Sequence, residues 1–166
     1  MSRFLLKIVF FVCITNLFWS CERDDICPLG TITTPKLIIE FFDVTEPENN
    51  KIPPNLLVAA EDSENGFLFE NTAEIVIPLR TDSNETIYNL TINSESEDGG
   101  VTNQVIFNYS TEEVYINRAC GYKVEFFGLQ ATRSLESDPD NQWISNISVQ
   151  ETLINNELET HVYIFH

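Results

Sequence analysis

Positive charge, histidine and glycine are all scarce in this chain, and each scarcity removes a class of chemistry. The 9 Lys and Arg residues stand against 26 Asp and Glu, a formal net charge of −17. A surface this acidic repels a phosphate backbone, so nucleic acid is not an expected partner. It repels anionic headgroups too, so any hold on a membrane has to come from acyl chains rather than from a basic patch. Only 2 histidines occur, His161 and His166. An odd spacing on one strand points them to opposite faces, where they cannot share a metal. With no Gly-x-Ser-x-Gly elbow, neither has a presented nucleophile to activate. The 6 glycines form no phosphate-cradling loop and the 4 cysteines no Cys-x-x-Cys pair, so nucleotide, zinc and redox-motif chemistry lack a carrier. No cofactor is expected, and the chain reads as a non-enzyme.

Carboxylates are the abundant group. Pairs such as Glu112 with Glu113, Glu97 with Asp98 and Asp138 with Asp140 arise by chance among 26 acids, and none forms the alternating Asp loop of a calcium site. Asp138-Pro139-Asp140-Asn141 is the best calcium candidate, set against a plain solvated turn.

A long hydrophobic run is also missing. The apolar stretch Ile8 to Phe18, broken by Thr15 and Asn16, ends near Trp19 and is followed by Glu22, Arg23, Asp24 and Asp25. A spanning helix needs about 20 apolar residues. Preceded by Arg3 and Lys7, and ending at the small Ser20, this stretch has the layout of a cleavable signal over residues 1–20. Phe18-Trp19-Ser20-Cys21 resembles the lipobox of bacterial lipoproteins, where a cysteine thiol is acylated and the chain is cut just before it; Phe18 replaces the usual aliphatic residue. The resemblance implies a lipid on Cys21, which becomes the first mature residue and attaches the protein to a membrane. Cys13 leaves with the leader, so Cys27 and Cys120 remain as the pair available in an oxidising compartment. A disulfide joining the tether to a strand is the expectation; two buried free thiols are the alternative.

Residues 21–34, acidic and carrying Pro28 and Gly30, read as a tether, and 35–166 as one domain. Within that domain apolar residues recur with period two between polar or Gly- and Pro-containing gaps. Lys36 to Val44, Asn55 to Ala60, Ala73 to Leu79, Thr86 to Asn93, Val101 to Tyr109, Val114 to Asn117, Cys120 to Phe127, Trp143 to Val149 and Thr160 to Phe165 carry the pattern. About eight strands and no helix follow, with Pro78 placing its strand at an edge or at its own end. The expected fold is all-β, a two-layer antiparallel sandwich of immunoglobulin-like or transthyretin-like type, with a small β-barrel as the alternative.

Trp143, Tyr88, Tyr109, Tyr115 and Tyr163 could stack on sugars, but Trp143, Tyr109 and Tyr163 run in phase with apolar neighbours and belong to a core. Tyr115 is out of phase with Val114 and Ile116. Tyr115 and Phe127 are the candidate surface contacts.

The stretches Cys21-Glu22-Arg23-Asp24-Asp25-Ile26-Cys27, Thr33-Thr34-Pro35-Lys36-Leu37-Ile38-Ile39-Glu40-Phe41, Ile77-Pro78-Leu79-Arg80-Thr81-Asp82, Arg118-Ala119-Cys120-Gly121-Tyr122-Lys123 and His161-Val162-Tyr163-Ile164-Phe165-His166 resemble a family of uncharacterised lipoproteins from Bacteroidota-type Gram-negative bacteria, grouped as a domain of unknown function. The resemblance implies a lipid-anchored envelope protein of the outer membrane, and brings no activity or catalytic residue. Acids after the lipidated cysteine also look like surface-export signals, although Arg23 interrupts them, so the periplasmic and cell-surface faces both stay open. The functional expectation is a non-enzymatic interaction or accessory module that presents a sheet face or edge to an envelope or outer-membrane protein. A glycan-binding or glycan-hydrolysing lipoprotein is one alternative, requiring an exposed aromatic platform or two carboxylates about 5–10 Å apart across a cleft. A structural envelope lipoprotein is the other.

Overall fold

A computed structural model describes residues 26–63, 65–97, 99–134 and 141–166. The chain divides into two compact units, a small one of residues up to Thr31 with Tyr115–Gly121, and a large one of Ile32–Val114 with Tyr122–His166.

The large unit is all-β and sandwich-like, its layers a four-stranded and a six-stranded sheet. In chain order the strands are β1 (Leu37–Phe42), β2 (Leu56–Ala60), β3 (Gly66–Phe69), β4 (Glu74–Ile77), β5 (Glu85–Ile92), β6 (Val101–Asn117), β7 (Gly121–Arg133), β8 (Asn146–Val149), β9 (Leu153–Ile154) and β10 (Val162–Phe165). The sheets run β4-β1-β10-β8 and β3-β2-β5-β6-β7-β9. Nearly all described pairings are antiparallel, but β1 and β10 are parallel, with Ile39 opposite Val162 and Phe41 opposite Ile164. Strands drawn from opposite ends of a domain need no hairpin between them, so nothing local fixes their direction. β4 is an edge strand and stops at Ile77, immediately before Pro78.

Period-two alternation builds the core. Leu37, Ile39 and Phe41 of β1, Ile75 and Ile77 of β4, and Val162 and Ile164 of β10 share it with Leu56 and Val58 of β2, Leu90 of β5, Val105 and Phe107 of β6, Phe126 of β7 and Ile154 of β9. Each such side chain stabilises the fold by roughly 1.5–3 kcal/mol through removal from water. β1 is buried on its other face as well, where Ile38 and Phe42 lie; the Phe42 ring sits 4.7 Å from Tyr163 and 5.8 Å from Phe165.

Two strands lay outside the expected set. β9 has two residues, too few to show a period. β3 is a run of apolar residues without alternation, because it is wet on both faces. Val101 to Tyr109 and Val114 to Asn117 are one strand of 17 residues. The polar stretch Ser110 to Glu113 falls where β6 has passed beyond the buried region, so its side chains are under no demand to alternate.

One inward-facing residue of β6 is polar. Asn103 is fully buried; its Oδ1 accepts the main-chain N–H groups of Trp143, at 3.0 Å, and Ile144, at 2.9 Å. Its Nδ2 donates to the Thr102 carbonyl at 3.0 Å. Trp143 Nε1 donates to the Leu90 carbonyl at 3.1 Å, and Arg133 to that of Ile144. The approach to β8 is thereby held on the core by side-chain hydrogen bonds where no ladder is available. Asn103→Ala strands two buried N–H groups and should cost about 2–4 kcal/mol in urea unfolding, whereas substitution of the exposed Glu112 should change stability by less than about 0.5 kcal/mol.

Candidate functional site

The expected disulfide is formed. Cys27 and Cys120 are bonded, with Cα atoms 4.8 Å apart and 93 positions between them. Cys120 lies in the turn between β6 and β7 rather than on a strand, since the chain must reverse between Asn117 and Gly121. Asn117 builds that turn: its Oδ1 accepts the N–H groups of Ala119, at 2.9 Å, and Cys120, at 2.8 Å. Using Cys120 in a bridge leaves it no role as a free thiolate. Residues 1–20 and Cys21, together with Asp138 and Asp140, lie outside the described residues.

Of the two candidate surface contacts, Tyr115 is 57 % exposed and sits in the small unit. Phe127 is half-buried on β7 opposite Leu153 of β9. Trp143, Tyr88 and Tyr109 are buried. The hydroxyls of Tyr88 and Tyr109 donate to the carbonyls of Pro78, at 2.7 Å, and Arg80, at 2.8 Å. These rings hold the chain leaving β4 and are not available to stack on a sugar.

His161 flanks β10 on one side and His166 on the other. His161 is buried; its ring Nδ1 accepts the Ile38 main-chain N–H at 3.0 Å, and its main-chain N–H donates to the Ile38 carbonyl at 3.1 Å. Desolvation holds its pKa below the ordinary histidine value, opposed by its bond to the Asn156 main chain and by Glu151, Glu157 and Glu159. His166 packs edge-on against Phe41 and Trp143 at 6.1 and 5.4 Å, and burial lowers its pKa likewise. Both imidazoles are structural. Among the described residues no His, Cys, Asp and Glu cluster could hold a metal ion.

Among the described residues of the large unit, two hollows stand out. One of about 260 Å³ is lined by Glu61, Asp62, Glu85 and Arg80 at its mouth and by Thr86 and Tyr88 within. Its guanidinium is already taken, since Arg80 Nε and Nη2 donate to Asp82 at 3.0 and 3.1 Å. That pairing lowers the Asp82 carboxyl pKa and raises that of Arg80. The Thr86 hydroxyl accepts the Arg80 N–H at 2.9 Å. The second hollow, about 230 Å³, lies between Ala131 to Arg133 and Ile144 to Ile147.

The feature least explained by folding alone is β3. It ends the six-stranded sheet and pairs only with β2, Phe67 opposite Val58 and Leu68 opposite Leu57. Phe67 is 53 % exposed and its neighbour Leu68, on the opposite face, 46 %. Exposed sheet edges are ordinarily blunted by charge, proline or a bulge, because their unpaired N–H and C=O groups invite another strand. Gly66-Phe67-Leu68-Phe69 has none of these within it. Gly66 sets the close approach to β2: a Cβ there would lie 2.7 Å from the Val58 carbonyl oxygen. Sequence reasoning passed over this segment, although a glycine followed by three large apolar residues signals a short strand.

These features define an all-β domain with an apolar edge strand. The chain belongs to a family of unknown function, DUF6452, which matches residues 55–166. β1 precedes the match although it lies between β4 and β10, so the folded unit extends beyond the matched segment. Neither a curated protein nor a solved structure matches the chain.

Removing the disulfide with Cys27→Ser and Cys120→Ser should cost about 2–5 kcal/mol, given the long loop it closes, and thiol counting under non-reducing denaturation should find neither cysteine reactive in the wild type. For His161 the folded pKa lies below the unfolded value of 6.5. The unfolded chain therefore binds more protons below that pH, so this contribution is complete above pH 6.5 and declines as pH falls toward the folded value. Unfolding free energy should drop between pH 7.5 and 5, and His161→Gln should flatten that slope; an equal slope in the variant would assign the loss elsewhere.

Proposed function

We propose that this protein is a lipid-anchored lipoprotein of a Gram-negative outer membrane whose β-domain is an interaction module rather than an enzyme, with β3 as its contact edge. The observation that carries the reading is the adjacent exposure of Phe67 and Leu68 on a short edge strand that holds no charge or proline of its own. An extended partner segment laid along β3 would satisfy the edge amides and place successive side chains, one on each face, against these two residues. Exposed Glu61, Asp62 and Glu70 flank the strand, favouring an apolar segment with Lys or Arg at its ends over a second copy of a chain this acidic. The signal sequence, the lipobox-like Cys21 and the acids after it support the envelope location; the domain faces either the periplasm or the cell surface.

The test is in-cell crosslinking of the full chain, followed by purification from detergent-solubilised membranes, with Leu68→Lys, Phe67→Lys and Cys21→Ala as variants. A stoichiometric envelope protein, retained by the wild type and lost by both lysine variants at unchanged melting temperature, is expected. Retention of that partner by both lysine variants would sink the assignment of β3.

A further inference from the structure

Resting on the lipid-anchor reading above, we infer that the small unit contacts the membrane, and that the Cys27–Cys120 disulfide holds it against the headgroup layer.

The argument begins with chain length. Cys21 precedes Cys27 by six positions, so a fully extended tether reaches at most about 22 Å. Cys27 is bonded to Cys120, Cα to Cα 4.8 Å. A lipid on Cys21 therefore keeps the β6–β7 turn within roughly the thickness of one leaflet of the surface. Without the bridge, the anchored segment would be joined to this turn only through the rest of the domain.

What the small unit exposes suits that location. Ile26, next to the bridge, is 80 % exposed, and Leu29 is fully exposed. Leu29 is held outward by a tight turn: the Thr31 N–H donates to the Pro28 carbonyl at 3.2 Å, and Gly30 takes the left-handed backbone, φ +92°, that its third corner requires. Tyr115 combines an apolar ring with a polar hydroxyl, the pairing favoured at membrane interfaces. Arg118 of the same unit is exposed and can donate to lipid phosphate. Water gives these two aliphatic side chains beside the bridge no favourable contact. A lipid surface gives one, and tethering makes even a weak contact well populated because its effective concentration is high. The net charge of −17 makes the preferred surface zwitterionic rather than strongly anionic.

Lipidated full-chain protein on phosphatidylcholine–phosphatidylethanolamine vesicles with brominated acyl chains tests this directly. Tyr115→Trp provides a reporter in the small unit, and Leu158→Trp, at an 88 % exposed position of the large unit, provides the control. Trp143 is buried and common to both. At least twofold stronger quenching at position 115 than at 158 is expected. It should fall to the control level in Cys27→Ser/Cys120→Ser and in Leu29→Glu, and weaken when phosphatidylglycerol is added. Equal quenching at the two positions, in protein that still floats with the vesicles, overturns the docking and leaves the anchor standing. Failure of labelled palmitate to enter the wild type overturns the anchor, and the docking with it. Loss of the crosslinked partner on Leu68→Lys reports on β3 alone.

Discussion

The four-stranded sheet depends on β1. This strand lies between β4 and β10 and contributes Leu37, Ile39 and Phe41, all fully buried, to the core. Its opposite face buries Ile38 and Phe42. A strand covered on both faces tolerates no charge pointing inward and little variation in volume, which explains the run Leu37-Ile38-Ile39-Glu40-Phe41-Phe42. Its one acid sits at the margin, where Glu40 Oε1 accepts the Thr160 hydroxyl at 2.8 Å. The parallel neighbour β10 is bracketed by histidines that serve β1, His161 by accepting the Ile38 N–H and His166 by packing on Phe41. These imidazoles are thus engaged in closing a sheet whose two central strands come from distant parts of the chain.

A second constraint is satisfaction of buried polar atoms. Among the described residues no buried side-chain nitrogen or oxygen is left without a partner. Asn103 stands in for the missing ladder where the chain enters β8, and the Tyr88 and Tyr109 hydroxyls do the same for the carbonyls after β4. Segments without regular structure are anchored by side chains emerging from the inward face of the larger sheet. The polar positions within the alternation of β5 and β6 are therefore part of the architecture, and replacing them by apolar residues would remove anchors rather than enlarge the core.

Function is then left to what the core and these anchors do not use. Tyr88 and Tyr109 are consumed by packing, the Arg80 guanidinium beside the larger hollow is held by Asp82, and Cys27 and Cys120 are spent in one bridge. Among the exposed apolar side chains, those on β3 in the large unit and around the disulfide in the small one carry the proposals. Their separate proposed roles, protein contact and lipid contact, fit a protein that is held at a surface and works through association.

By itself the sequence determined the all-β class, most strand positions, the break at Pro78, the core assignment of Trp143 and Tyr109, and the pairing of Cys27 with Cys120. These follow from local periodicity, ring content and the small number of cysteines, properties legible without knowing which strand meets which. Tertiary structure alone decided the parallel β1–β10 pair, the length of β6 and the existence of β3 and β9. Strand direction between distant segments has no local signature. Period two is imposed only where one face is buried, so it disappears where β6 leaves the core and where β3 is wet on both sides. The proposed partner-binding strand therefore lacks the alternation that marks the other strands for the same reason that makes it available: the core does not dictate its residues.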